Sequence, residues 1–174
     1  MLFERVPIDI VERVVILTDA NRDYETISQI IERLREPQRR EKIIEAMTKR
    51  EVDNEGTVRY YLDGVLHREN DKPAIEYASG SKMWYRKGQL HRENDKPAIE
   101  YVSGTKYWYY KGQIHRENDK PAVEEVNGTK EWYRKGLLHR ENDWPAIEWS
   151  DGTKEWWLNG KRISDVRSCS ENVF

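Results

Sequence analysis

The chain has 174 residues, the length of one domain or of a small domain with an appendage. Charged residues make up 36% and hydrophobic residues 37%, and 30 Lys and Arg against 32 Asp and Glu leave a net charge of -2, which excludes a polycation built to bind nucleic acid by neutralising phosphates. The one cysteine, Cys169, excludes an internal disulfide framework and a Cys-rich zinc site, and no apolar run approaches the ~18 residues of a membrane span.

With Glu4 and Asp9 flanking Arg5, the N-terminus has no signal-peptide core, so the expected location is intracellular and cytoplasmic. The first fifty residues hold no repeat and are expected to be helical. Pro7 suits an early helix position, and Ile8, Val11 and Val15 follow at helical spacing. A break at 19–23 precedes a second apolar stripe of Ile27, Ile30, Ile31 and Leu34. Pro37 interrupts, and Arg39 to Thr48 reads as a third helix around Ile43, Ile44 and Met47. Residues 1–32 carry three basic against seven acidic side chains, and residues 33–50 carry seven basic against three acidic, which fits complementary packing. The stretch Val6-Pro7-Ile8-Asp9-Ile10-Val11-Glu12-Arg13-Val14 resembles the start of an F-box. That resemblance implies docking on a Skp1-like adaptor through Pro7, Ile10 and Val14; the competing reading is a helical cap over the first sheet edge.

From residue 51 the sequence repeats with a period of 24. His67, His91, His115 and His139 each open the string H-R-E-N-D, followed by Lys or Trp and then Pro-Ala. Two glycine series, one through Gly80 and one through Gly88, keep the same register. Trp84, Trp108, Trp132 and Trp156 mark one aromatic column, with Tyr60 in the equivalent place of the first unit. Tyr85, Tyr109, Tyr133 and Trp157 mark a second, one residue on. Neighbouring strand positions face opposite ways, so the two columns lie on opposite faces. One is expected to pack under the sheet and the other under the connectors. The position of Met83, which recurs as Tyr107 and Glu131, is expected to be exposed.

Within a unit, residues 73–78 read as a first strand, with Ile75 and Tyr77 on one face. Ser79-Gly80 turns the chain, and the equivalent Asn127-Gly128 and Asp151-Gly152 are strong hairpin signals. Lys82-Met83-Trp84-Tyr85-Arg86 reads as one aromatic-rich second strand, ending at Lys87-Gly88. Five such hairpins are expected over 52–64, 76–88, 100–112, 124–136 and 148–160. The fold class is therefore mainly β: an elongated repeat sheet or solenoid of five stacked hairpins, ten strands in a meander, with a small N-terminal α-helical cap.

The run Tyr85-Arg86-Lys87-Gly88-Gln89-Leu90-His91, repeated from Tyr109 and from Tyr133, resembles MORN repeats. The usual His-Gly connector is replaced by H-R-E-N-D-x-P-A, a variant similar to repeats in proteins of giant DNA viruses. The resemblance spans 52–160. It implies a hairpin-stacked interaction protein without enzymatic activity, found in a virion or in the cytoplasm of an infected cell.

The connector residues His67, His91, His115, His139, Arg68, Arg92, Arg116 and Arg140 include types able to do acid–base chemistry. Four copies at one structural spacing argue for a structural role, because catalysis needs one constellation. Asn and Asp ahead of proline favour turns, and Arg with Glu favours ion-pair ladders. Successive histidines stand a whole repeat apart, too far to share a metal. No catalytic residue, metal or cofactor is expected. A partner that reads the arginine column, such as an anionic membrane surface, is the functional alternative.

The last unit departs from the others. Trp144 replaces the Lys of positions 72, 96 and 120, and Trp149 replaces Tyr77 and Tyr101. After Gly160 the string Lys161-Arg162-Ile163-Ser164 contains no His. Residues 163–174 read as a C-terminal cap, and Trp144 with Trp149 as a patch for a partner or a second copy. The expected function is a non-enzymatic scaffold or protein–protein interaction module that self-associates, with a ubiquitin-ligase adaptor and a phospholipid binder as alternatives.

Overall fold

A computed structural model describes residues 37–163 of the protein. The expected helices before Pro37 lie outside the described residues, and so do Pro7, Ile10, Val14 and the expected tail cap from Ser164 on. The chain divides into two compact parts between Met47 and Thr48. Of the first part, the described element is α1 (Pro37–Met47), which begins on the proline and buries Ile44. Among the described residues no helix is long and apolar enough to cross a membrane.

The second part is an open antiparallel sheet of hairpins. The first unit is β1 (Lys49–Val52), β2 (Val58–Leu62) and β3 (Val65–Leu66). The second is β4 (Ile75–Glu76), β5 (Lys82–Met83), β6 (Tyr85–Arg86) and β7 (Gln89–Leu90). The third is β8 (Ile99–Glu100), β9 (Lys106–Tyr107), β10 (Tyr109–Tyr110) and β11 (Gln113–Ile114). The fourth is β12 (Val123–Glu124), β13 (Lys130–Glu131), β14 (Tyr133–Arg134) and β15 (Leu137–Leu138). The fifth is β16 (Ile147–Glu148), β17 (Lys154–Leu158) and β18 (Lys161–Ile163). β1 begins two residues inside the stretch expected to be helical, and β18 lies beyond the expected end of the last hairpin.

The elongated, mainly β repeat sheet matches expectation, but the ten-strand meander does not. A 12-stranded sheet runs β1-β2-β4-β5-β8-β9-β12-β13-β16-β17-β18, with β3 beside β2. Three further pairs, β6-β7, β10-β11 and β14-β15, stand off this path. The second strand of each central unit is split at its tryptophan. The Trp84 N–H donates to Ala98 C=O of the next unit at 2.8 Å, and its C=O accepts from the His91 N–H of its own unit at 3.0 Å. The first half of the strand thus pairs with the following unit, and the second half folds back on itself. Trp108 and Trp132 repeat both bonds.

Each unit therefore holds two hairpins. The first turns through Tyr77-Ala78-Ser79-Gly80, where the Gly80 N–H donates to Tyr77 C=O and Gly80 takes φ 96°. This is a type I turn closed by a left-handed glycine. The second turns on Lys87-Gly88, both left-handed at φ 51° and 75°, the two-residue turn whose twist matches the flanking strands.

The core is repetitive as well. Ala74, Ala98, Ala122 and Ala146 are fully enclosed, and Ile75, Ile99, Val123 and Ile147 beside them are buried. Trp84, Trp108 and Trp132 are buried and sit under the connectors, as expected for one of the two aromatic columns. The other column, Tyr85, Tyr109 and Tyr133, is half-buried. Met83, Tyr107 and Glu131, expected to be exposed, are half-buried too, because Met83 and Tyr107 face Ile75 and Ile99 across the ladder.

Candidate functional site

The connector carries the densest polar chemistry, and its shape follows from its sequence. In Glu69-Asn70-Asp71-Lys72 the Asn and Asp take left-handed φ of 62° and 54°. Among residues with a Cβ, these two types tolerate that region best. The turn aims the Asp71 carbonyl at the Trp84 indole N–H, which donates to it at 2.9 Å. Trp108, Trp132 and Trp156 make the same bond to Asp95, Asp119 and Asp143.

Arg92, Arg116 and Arg140 each close the gap between two connectors. Arg92 lies 3.7 Å over the Trp84 ring. Its Nε donates to Asp71 Oδ1 at 2.6 Å and its Nη2 to Asp71 Oδ2 at 3.2 Å. Its Nη1 donates to Pro97 C=O at 3.0 Å and to Glu100 at 2.7 Å. Arg116 and Arg140 repeat the arrangement on Asp95 and Asp119. Arg68 stacks on Tyr60 and bonds Pro73 C=O and Glu76, with no earlier connector to supply an aspartate. These four side chains are 10–16% exposed. The column on which the membrane reading rests spends its donors inside the chain.

Lys96 and Lys120 add a second cation to Asp71 and Asp95. Hydrogen bonds from Arg92, and then Lys96, hold the Asp71 carboxyl down at about 2; Arg116 and Lys120 do the same to Asp95, also about 2. In the last unit Trp144 stands where the lysine would be. It lies 5.4 Å from the Arg140 guanidinium and is 54% exposed.

The histidines are inter-unit links. His67 Nδ1 accepts the Lys87 N–H of the next second-hairpin turn at 3.0 Å, and His91 accepts from Lys111, His115 from Lys135 and His139 from Asn159. Each Nε2 faces the glutamate two residues on, at 3.1 Å for His67 and Glu69. With Nδ1 accepting, the proton sits on Nε2. Both nitrogens are thereby committed.

One surface feature escaped the sequence reading. A cleft of 530 Å³ lies between the connectors that begin at Arg92 and at Arg116, floored by Trp108, Tyr109 and Tyr110. Tyr110 stands where Arg86 and Arg134 stand in the flanking units, and its ring lies 5.0 Å from the His91 ring. Arg86 and Arg134 pair with Glu93 and Glu141, whereas Glu117, the equivalent carboxylate, accepts from His115. The substitution of Tyr for Arg within the series was the available signal. Burial raises the Tyr85, Tyr109 and Tyr133 hydroxyls above their ordinary value, Tyr133 furthest because it also donates to Glu131.

Of the residues expected to meet a partner, Trp144 and Trp149 are exposed, at 54% and 40%. They join Val102 and Val126 at successive first-hairpin turns and Leu137 at a second-hairpin turn as outward apolar groups. Trp156 and Trp157 are half-buried. Compared with known protein families, with curated proteins and with solved structures, the chain matches none.

Proposed function

We propose that the protein is a non-enzymatic repeat scaffold that binds other proteins. One observation carries this reading: the polar connector closes on itself, while apolar side chains are left outward, Val102, Val126 and Leu137 with Trp144 and Trp149, of which Trp144 is the more exposed of the two tryptophans. A histidine whose two nitrogens are both bonded, and arginines whose donors are spent, are matched to holding neighbouring units together. An exposed tryptophan in an otherwise charged series is matched to a binding hot spot. The resemblance to MORN repeats supports the same class of function.

The test is a pull-down with the full chain and with Trp144→Ala. The Trp144 ring is exposed and lies 5.4 Å from the Arg140 guanidinium, and its backbone bond to Glu141 C=O survives the substitution, so the fold is expected to be kept. A protein recovered by the full chain is expected to bind the variant about tenfold more weakly, the usual loss for a central tryptophan. Equal recovery by Trp144→Ala and by a Val102→Asp, Val126→Asp variant would contradict the reading.

A further inference from the structure

Among the described residues the arginine seat is built four times and filled three times. In a filled seat the guanidinium lies on a tryptophan, forks onto the aspartate of the preceding connector and reaches the proline carbonyl that opens the next strand. For Arg116 these distances are 3.8 Å to the Trp108 ring, 2.7 and 3.3 Å to Asp95, and 3.1 Å to Pro121 C=O.

The fourth seat is formed by Asp143 and Trp156. The Trp156 indole donates to Asp143 C=O at 3.1 Å, as Trp132 does to Asp119 at 3.1 Å. Asn142 and Asp143 hold φ of 59° and 55°, against 62° and 51° for Asn118 and Asp119. The tryptophan and the turn backbone that carries the carboxylate are therefore set as in the filled seats. The position 24 residues after Arg140 is Ser164, which has no guanidinium. Among the described residues no cation pairs with Asp143 and none lies over Trp156. The exposure agrees: Trp84, Trp108 and Trp132 are each 6% exposed, whereas Trp156 is only half-buried.

Among the described residues the neighbouring strand edge has no partner either. β17 pairs with β16 through Lys154 and Glu155, and with β18 only from Trp156 onward. In earlier units the corresponding outer edge holds the next first strand, as Lys82 and Met83 hold Glu100 and Ile99.

We propose that this end of the sheet binds an extended peptide in which an arginine precedes a strand by the spacing of the repeat itself, Arg-x-x-x-x-Pro-x-x-Glu. The strand adds to the edge at Lys154 and Glu155 through main-chain hydrogen bonds, and the arginine fills the space between Trp156 and Asp143. The partner is a protein presenting a connector and first strand of this kind. The inference rests on the reading of the chain as an interaction module and names the chemistry of its partner.

The test titrates the full chain with a synthetic peptide of the sequence of residues 91–100, followed by calorimetry. The expected result is one peptide per chain, with binding about tenfold weaker when Arg92→Ala is made in the peptide or Asp143→Asn in the protein. Asp143→Asn keeps the backbone carbonyl that Trp156 uses and breaks no ion pair, so its thermal midpoint is expected to stay at that of the wild type. Absence of binding, or binding indifferent to either substitution, overturns the proposal. Partner capture through Trp144 is a separate readout, so failure of the seat and failure of the interaction reading are distinguishable.

Discussion

At the scale of the residue, the connector matches each donor to an acceptor. Arg92 is held by stacking, by a two-point carboxylate fork and by a carbonyl, a set that lysine has neither the plane nor the donors to make. The carboxylates on the other side carry a pH dependence. Asp71 and Asp95 are held at about 2 in the fold against 3.8 for the free side chain. A depressed native value means that their stabilisation is fully present above the free value and is lost as pH falls through about 2. Urea midpoints are therefore expected to drop between pH 4 and pH 2. An Asp71→Asn, Asp95→Asn variant is expected to start lower and to show a shallower decline across that window. An identical slope in wild type and variant would show that other groups carry the acid response.

At the scale of the element, two hairpins per unit follow from two kinds of turn. The first was legible, because Asn127-Gly128 and Asp151-Gly152 announce it in two copies and the period of 24 extends it to the others. The second was not, because Lys87, Lys111 and Lys135 sit where a left-handed residue is needed and lysine is no turn signal. The end units give the clue, with Asp63-Gly64 and Asn159-Gly160 at the same place. Lysine at φ 51° is strained, since its Cβ crowds the backbone there. Lys87→Asn retains the N–H that His67 accepts and is expected to raise stability by about 0.5–1 kcal/mol, read as a higher midpoint in urea. A lower midpoint would mean that the lysine side chain contributes something the turn geometry does not reveal. The split at Trp84 was illegible for a different reason: alternation continues through it, and only the partners change, from Ala98 of the next unit to His91 of the same one.

At the scale of the whole molecule, the sheet extends by repetition of one interface. The Trp84 N–H bond, the His67 to Lys87 bond, the Arg92 fork and the Ser81 hydroxyl that accepts the Val102 N–H all cross from one unit to the next. Stability in such an array is a sum of unit and nearest-neighbour terms, so a change at one interface acts locally and is repeated at its equivalents. The sequence announced that the connector residues act as a set. It did not announce their partners, because those lie 20 or 21 residues away, across a unit boundary that periodicity alone does not orient. The arginine column holds the units together. The most direct test of that role is the urea midpoint of the full chain with Arg92→Lys, Arg116→Lys and Arg140→Lys made singly. Each is expected to lose about 1–2 kcal/mol, similar across the three, with the far-ultraviolet circular dichroism retained. Three unchanged midpoints would contradict the claim and return the column to the surface as a site for an anionic partner.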